Sequence, residues 1–255
     1  MREINAQLIT DKVAELCIDA NCSLPCDIRK RIEDARANEP WATAQGILDK
    51  IIENYNIADE NRAPICQDTG VACVFLKIGQ DVHINGDLTE AVNEGVRRGY
   101  RDGYLRKSVV KDPLRRVNTG DNTPAMLYIE LVPGDKIELT VAPKGFGSEN
   151  MSRIAMLKPS DGIEGVKNFI LKTAALLAKK ALMRSTDERN ADEFYAELEN
   201  EMLRKVNALG IGPQGFGGKT TALAVNIEAM PTHIAGLPVA VNINCHVTRH
   251  KSAII

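Results

Sequence analysis

Residues 63–78 read APICQDTGVACVFLKI, a polar turn that ends in Thr-Gly and runs straight into an apolar stretch from Val71 to Ile78. The second half of this stretch, broken only by Lys77, has the β-branched and aliphatic content of a buried strand. What surrounds the strand decides the fold class. Upstream, Leu8, Ile9, Val13, Leu16 and Cys17 recur at helical spacing, a second helix starts near Ser23 and carries Ile28 and Ile32, and the region up to Asn56 reads as helical. Downstream, Leu88 to Arg101 reads as a helix ended by Gly103. Two strands follow, Ala125 to Val132 and Lys136 to Ala142, joined by Pro133-Gly134-Asp135 in a hairpin-like signal.

The second half of the chain continues the mixture. Gly162 to Met183 has the apolar pattern of one long helix, Ala191 to Ala208 of another, and Ala222 to Ala229 and Pro238 to Cys245 read as strands. Hairpin and helical connections together imply an α/β fold: a mixed sheet with an N-terminal helical layer over residues 1–60 and flanking helices. A single domain spanning 1–255 is expected, since no repeat and no low-complexity linker interrupts it.

Composition narrows the class. The chain is 44% hydrophobic and 26% charged with a formal net charge of −2, which suits a soluble globule and gives no overall attraction to nucleic acid. The first residues, MREINAQLITDKVAELC, alternate charged and apolar types, so neither a signal peptide nor a membrane span is expected, and the cytoplasm is the expected location. Six cysteines are too few for a disulfide scaffold at this length and read as thiols or metal ligands.

Cys66 stands out because it sits where a loop meets the strand, followed by an amide and an acid, whereas Cys73 lies inside the apolar run. Four segments are rich in Gly, Asn and paired polar groups: CQDTG (66–70), NTGDNTPA (118–125), KGFGSEN (144–150) and GIGPQGFGGKTTAL (210–223). Each borders a strand or helix end, where backbone amides are free for a ligand. A single such segment is as readily a turn; four in one chain argue for a shared site. The Gly-Lys-Thr in the last of them is not a phosphate loop, because the position that needs the first glycine is Pro213. NINCHVTRH (242–250) adds Cys245, His246, Arg249 and His250 after a strand, with no companion pair at zinc-finger spacing.

The combination ICQDTG, LRKSVVKDP, NTGDNTPA, KGFGSENMS, GIGPQGFGGKTTAL and LPVAVNINCHVTRH resembles the alpha subunit, or N-terminal domain, of the class I iron–sulfur fumarate hydratase and L-tartrate dehydratase family. The motifs occur in the family's order from Cys66 onward. The resemblance implies a hydro-lyase with a [4Fe–4S] cluster held by three cysteines, of which Cys66 matches the first and Cys245 the last. Gln67 and Asp68 match substrate-contacting positions, with Asp68 the candidate for proton transfer. Arg106 matches an arginine that pairs with a substrate carboxylate, and Gly147 and Asn150 match a substrate-contacting loop.

The resemblance breaks at one place. The family's middle cysteine lies in a Gly-rich segment between two helices, and here FILKTAALLAKK joins those helices directly at Thr173 and Ala174. The remaining site residues of the family come from a second domain or a beta subunit, so a heteromeric partner is implied, with two of each chain as the expected assembly. Interconversion of (S)-malate and fumarate is the first expectation and L-tartrate dehydration the alternative. A cluster-less binding or assembly subunit is the reading if the middle segment is truly absent.

Overall fold

The computed structural model describes residues 1–148, 150, 152–171 and 184–255. In chain order its elements are β1 (Arg2–Asn5), α1 (Ala6–Cys22), α2 (Cys26–Ala37), α3 (Ala42–Asn61), β2 (Val71–Gly79), β3 (Val82–Asn85), α4 (Leu88–Asp102), β4 (Met126–Val132), β5 (Ile137–Lys144), β6 (Arg153–Leu157), α5 (Gly162–Ile170), α6 (Glu193–Asn207), β7 (Leu237–Val241) and β8 (Lys251–Ile254). This is the α/β arrangement expected, with helices leading and mixed sheets following. The chain gathers into two compact units. Met1–Pro25, Tyr55–Phe146 and Arg249–Ile255 form the first, and Cys26–Asn54 with Gly147–Thr248 the second.

In the first unit the strand that opened the sequence reading becomes the middle of a sheet ordered β4-β2-β5-β8, with β2 parallel to β4 and antiparallel to β5. Its period-2 alternation sends Val74, Leu76 and Ile78 to one face, beside Val141, Leu139 and Ile137 of β5. That face packs on Ile9, Val13, Leu16 and Cys17 of α1 and on Val92, Val96 and Tyr100 of α4. Side-chain caps fix where both helices start: Asn5 Oδ1 accepts from the Gln7 amide at 2.8 Å, and Asp87 Oδ1 from that of Glu90 at 2.9 Å. The two helices lie close because Gly95 and Gly99 face α1. A Cβ on them would stand 2.6 Å from Val13 Cβ and 2.7 Å from Cys17 Cβ.

The hairpin expected between β4 and β5 does not form. Both strands pair with β2 instead, one on each side. The Pro133–Lys136 connection arches over the end of β2: the amides of Gly79, Gln80 and Asp81 donate to the carbonyls of Lys136, Val132 and Gly134 at 2.8, 2.9 and 2.9 Å. A turn signal between two strands fixes their antiparallel sense but not their adjacency, and here a third strand fits between them.

In the second unit β6 and β7 pair antiparallel, and α6 starts on Asp192, whose Oδ1 accepts from the Phe194 amide at 2.9 Å. The strand expected over Ala222 to Ala229 is absent. Its backbone is held by side chains rather than by a neighbouring strand, with the Thr221 and Ala222 amides on Asn207 Oδ1 and the Ile227 amide on Glu199. The long helix expected over Gly162 to Met183 begins as α5 and ends at Ile170, while residues 172–183 lie outside the described residues. Strands β1, β3, β6 and β8 were not legible in the sequence, each being only four or five residues long. Among the described residues no helix is long and apolar enough to cross a membrane.

A Cβ on Gly79 would stand 2.2 Å from the Gly134 carbonyl oxygen, in the arch over β2. Gly79→Ala is therefore expected to lower stability by about 2–4 kcal/mol in urea denaturation. Gly46→Ala, in α3 with nothing within 4 Å of the new methyl, is expected to raise it by about 0.5–1 kcal/mol.

Candidate functional site

The turn from Cys66 to Gly70 is built entirely from hydrogen bonds inside the first unit. Gly70 has φ of 72°, and a Cβ there would lie 2.4 Å from the Lys144 carbonyl carbon, so only glycine fits the turn. Its carbonyl accepts from Asn122 Nδ2 at 3.1 Å, and Asn122 Oδ1 accepts from the amides of Ser108 at 2.7 Å and Val109 at 3.2 Å. Asn122 is fully buried and has φ of 65°, a conformation Asn tolerates better than most residues. The buried Tyr100 hydroxyl lies 2.8 Å from the Thr69 carbonyl oxygen and 3.1 Å from that of Gly70, donating its one hydrogen between them. Thr69 Oγ1 in turn donates to the Arg106 carbonyl at 2.9 Å.

The Asp68 carboxylate is held from two sides. Its Oδ1 accepts from the Gly70 amide at 3.1 Å and its Oδ2 from the Phe146 amide at 2.9 Å, while its carbonyl accepts from Arg249 Nη2 at 2.6 Å. Each carboxylate oxygen keeps a second lone pair for a proton or a hydroxyl. Four stretches that the sequence singled out therefore meet by contact: CQDTG, the segment after Arg106, NTGDNTPA and the start of KGFGSEN. Arg249 of the last motif joins them. Gln67 and Arg106 are exposed at this turn, and Cys66 is half-buried with its thiol 3.4 Å from Gln67 Oε1.

Gly147, Asn150 and Cys245 belong to the second unit, where all three are exposed. Cys245 sits in a turn closed by Asn244 Nδ2 on Thr248 Oγ1 at 2.7 Å and Thr248 Oγ1 on the Cys245 carbonyl at 3.0 Å. The next residue, His246, borders an open cleft of about 450 Å³ between the α3 side chains Ile47 and Lys50 and the loop residues Gln214 and Phe216. Gln214 Nε2 and His246 Nδ1 are 3.0 Å apart, and burial holds the imidazole below its ordinary pKa. The glycine-rich loop before it binds itself. The amides of Gly215, Phe216 and Gly217 donate to the carbonyls of Gly212, Pro213 and Ile211, and the Lys219 amide donates to the buried Glu39 carboxylate at 2.8 Å.

All six cysteines are described; Cys17, Cys22 and Cys73 are buried, while Cys26 is exposed. Cys17 and Cys73 are fully buried, and burial pushes the Cys17 thiol up to about 12. Cys73 Sγ lies 3.7 Å from Met126 Sδ, Cys22 Sγ donates to the Arg62 carbonyl at 3.3 Å, and Cys26 opens α2 in the second unit. Among the described residues no group of three or more His, Cys, Asp or Glu gathers as a metal site requires. Cys66 and Cys245 are the two cysteines that match the family's cluster positions, where the resemblance led to the expectation of three. The Thr173–Ala174 junction, where the middle ligand was expected, lies outside the described residues.

Tyr100 and Arg249 were not singled out as site residues from the sequence. Tyr100 follows Val92 and Val96 at helical spacing and reads as core. The available signal was chemical, since a buried phenol needs a hydrogen-bond partner.

Comparison with known proteins follows the same motifs. The family model for fumarate hydratase (fumerase) matches residues 10–176 and 171–254, two stretches that meet at 171–176. The chain is 42% identical to a Methanocaldococcus jannaschii protein named "Putative L(+)-tartrate dehydratase subunit alpha", over 94% of this chain and 95% of that one. It is 28% identical to the L(+)-tartrate dehydratase subunit alpha of Escherichia coli O157:H7, and 27% to that of strain K12, each over 100% of this chain and 94% of the relative. The first alignment spans 273 positions but contains 94% of 255 residues, about 240, so about 33 positions of the relative face no residue here. The second, 287 positions holding all 255 residues, leaves about 32.

Two outcomes are expected from this geometry. Iodoacetamide at pH 8, followed by peptide mass mapping, is expected to label Cys26, Cys66 and Cys245 and to leave Cys17 and Cys73 unmodified. Asn122→Ala strands two amides and one carbonyl and is expected to cost at least about 2 kcal/mol, with faster hydrogen exchange at Ser108 and Val109.

Proposed function

The chain belongs to the fumarate hydratase (fumerase) family, and from that premise we propose that it is the alpha subunit of an iron–sulfur hydro-lyase acting on a 2-hydroxy dicarboxylate, L-tartrate in preference to malate. The observation that carries the reading is the interlocked turn: Asp68 is held by the amides of Gly70 and Phe146 in the same body of loops that presents Gln67 and Arg106. The sequence alone put fumarate hydration first. The relatives that align over nearly their whole length bear the name tartrate dehydratase, and their names support tartrate instead. The word alpha in those names supports a partner chain, which we take to carry the remaining active-site groups in a heterotetramer.

In this reading Arg106 pairs with one substrate carboxylate, for which its planar fork is suited. Gln67 orients the substrate oxygen. Dehydration removes a proton from one carbon and hydroxide from its neighbour. Asp68 takes the proton, its carboxylate already oriented by two amides so that little reorganisation remains. Departure of hydroxide requires an electrophile, and here the donors of this chain fall short of the family's cluster: Cys66 and Cys245 are two thiolates of the three. We place the missing donor at the Thr173–Ala174 junction, near which the two family matches meet, and take it to be among the roughly 33 positions of the M. jannaschii relative that face no residue here.

The test is a graft. The chain as it stands and a version carrying the M. jannaschii segment between Thr173 and Ala174 are each co-expressed with a beta subunit, reconstituted anaerobically and assayed. The unmodified chain is expected to hold less than one cluster per chain and to turn over little. The graft is expected to gain the absorption of a full cluster and to dehydrate L-tartrate with a kcat/KM at least tenfold above malate. Asp68→Asn in the graft is expected to lower kcat by about 10²–10⁴-fold. Faster turnover of malate would move the substrate to fumarate, and a fully loaded graft inactive on both would reject the hydro-lyase reading.

A further inference from the structure

Beyond the turn, the first unit carries a feature that no role above uses: the hairpin Lys107–Asn118, KSVVKDPLRRVN. It is ordered by its own backbone. Val110 bridges Asn118, the Lys111 amide donates to the Val117 carbonyl at 2.8 Å, and the Thr119 amide donates to that of Val109 at 2.9 Å. Its tip is set by Asp112, whose Oδ1 accepts from the amides of Leu114 at 3.0 Å and Arg115 at 2.7 Å. Its base is bolted to the candidate site, because Asn122 bonds both Ser108 and Val109 on one side and Gly70 on the other.

Such a well-defined hairpin presents an unusual surface. Leu114 is 90% exposed and Val117 56%, and Lys107, Lys111, Arg115 and Arg116 around them are all exposed. None of these four cations makes an ion pair among the described residues, although exposed arginines elsewhere in the same unit do: Arg62 with Asp19 and Arg101 with Asp102. Asp112, the one acid in the hairpin, spends its carboxylate on the turn amides. An apolar tip ringed by four unneutralised cations is complementary to an apolar cleft rimmed by carboxylates on another chain.

We propose that Lys107–Asn118 is the arm by which this chain docks its partner subunit, with Leu114 entering an apolar cleft whose acidic rim takes Lys111, Arg115 and Arg116. The proposal rests on the reading of the chain as an alpha subunit and specifies where the other chain attaches. Because the arm is rooted on Asn122, docking there also places the partner beside Arg106 and Asp68.

The experiment is calorimetric titration of the purified chain with a beta subunit of the family, in a salt series, for wild type, Leu114→Asp and the double variant Arg115→Glu/Arg116→Glu. These side chains are exposed, so thermal melting is expected to match wild type and to exclude unfolding. Each variant is expected to weaken association at least tenfold, and the double variant to flatten the salt dependence. Affinities within twofold of wild type would overturn the proposal, as would failure of the wild type to bind. Sedimentation that shows a dimer of this chain alone, split by Leu114→Asp, would overturn it in favour of a self-interface. A tight, arm-dependent complex of the grafted chain that dehydrates neither acid would refute the proposed activity and leave the arm standing. An active complex indifferent to both variants would refute the arm alone.

Discussion

Gly70 is the constraint from which the first unit's functional surface follows. With φ of 72° and no room for a Cβ against the Lys144 carbonyl, it lets the chain turn from Asp68 into β2 while exposing its carbonyl to Asn122 and Tyr100. Any one of these hydrogen bonds is worth about 1 kcal/mol net, yet leaving a buried partner unmade costs about 1–3 kcal/mol. The loops after Arg106, around Asn122 and after Lys144 are therefore held together or lost together. The Asp68 carboxylate inherits its orientation from this arrangement, since both amides that fix it belong to residues at the same junction.

Much of this was legible in the sequence, though unevenly. The apolar run Val71 to Ile78 announced a strand, and α1, α4 and α6 announced themselves by periodicity, whereas their caps at Asn5, Asp87 and Asp192 emerged only in the structure. Local signals failed where adjacency was at stake. Pro133-Gly134-Asp135 gives the same turn whether the flanking strands are neighbours or have β2 between them, and nothing local in the sequence distinguishes the two. Ala222 to Ala229 has strand composition but exchanges its backbone bonds with Asn207 and Glu199, which depends on distant residues. At the site, the polar clusters were visible as segments. Their convergence was not, because it is carried by Asn122 and Tyr100, which read as a loop residue and a core residue.

The cysteines show the same division between residue type and environment. Six thiols in one chain offer ample sulfur for a cluster by count. Both Cys17 and Cys73 are fully buried, and for Cys17 burial disfavours the thiolate that ligation requires. Cys66 differs from Cys73 by only seven positions, but the first stands in a polar turn before the strand and the second inside the sheet. Position relative to the strand, and not sequence distance, separates a candidate ligand from packing.

The intact motifs and the missing segment are compatible because they lie in different parts of the chain. Every hydrogen bond named here that shapes the Cys66–Gly70 turn comes from the first unit, from Tyr100, Asn122, Phe146 and Arg249. The two stretches matched by the family model meet at 171–176, and about 33 positions of the M. jannaschii relative face no residue over the whole alignment. None of these four residues lies in 171–176. The turn that holds Asp68 thus takes its hydrogen bonds from residues outside the segment in which the resemblance places the middle cysteine.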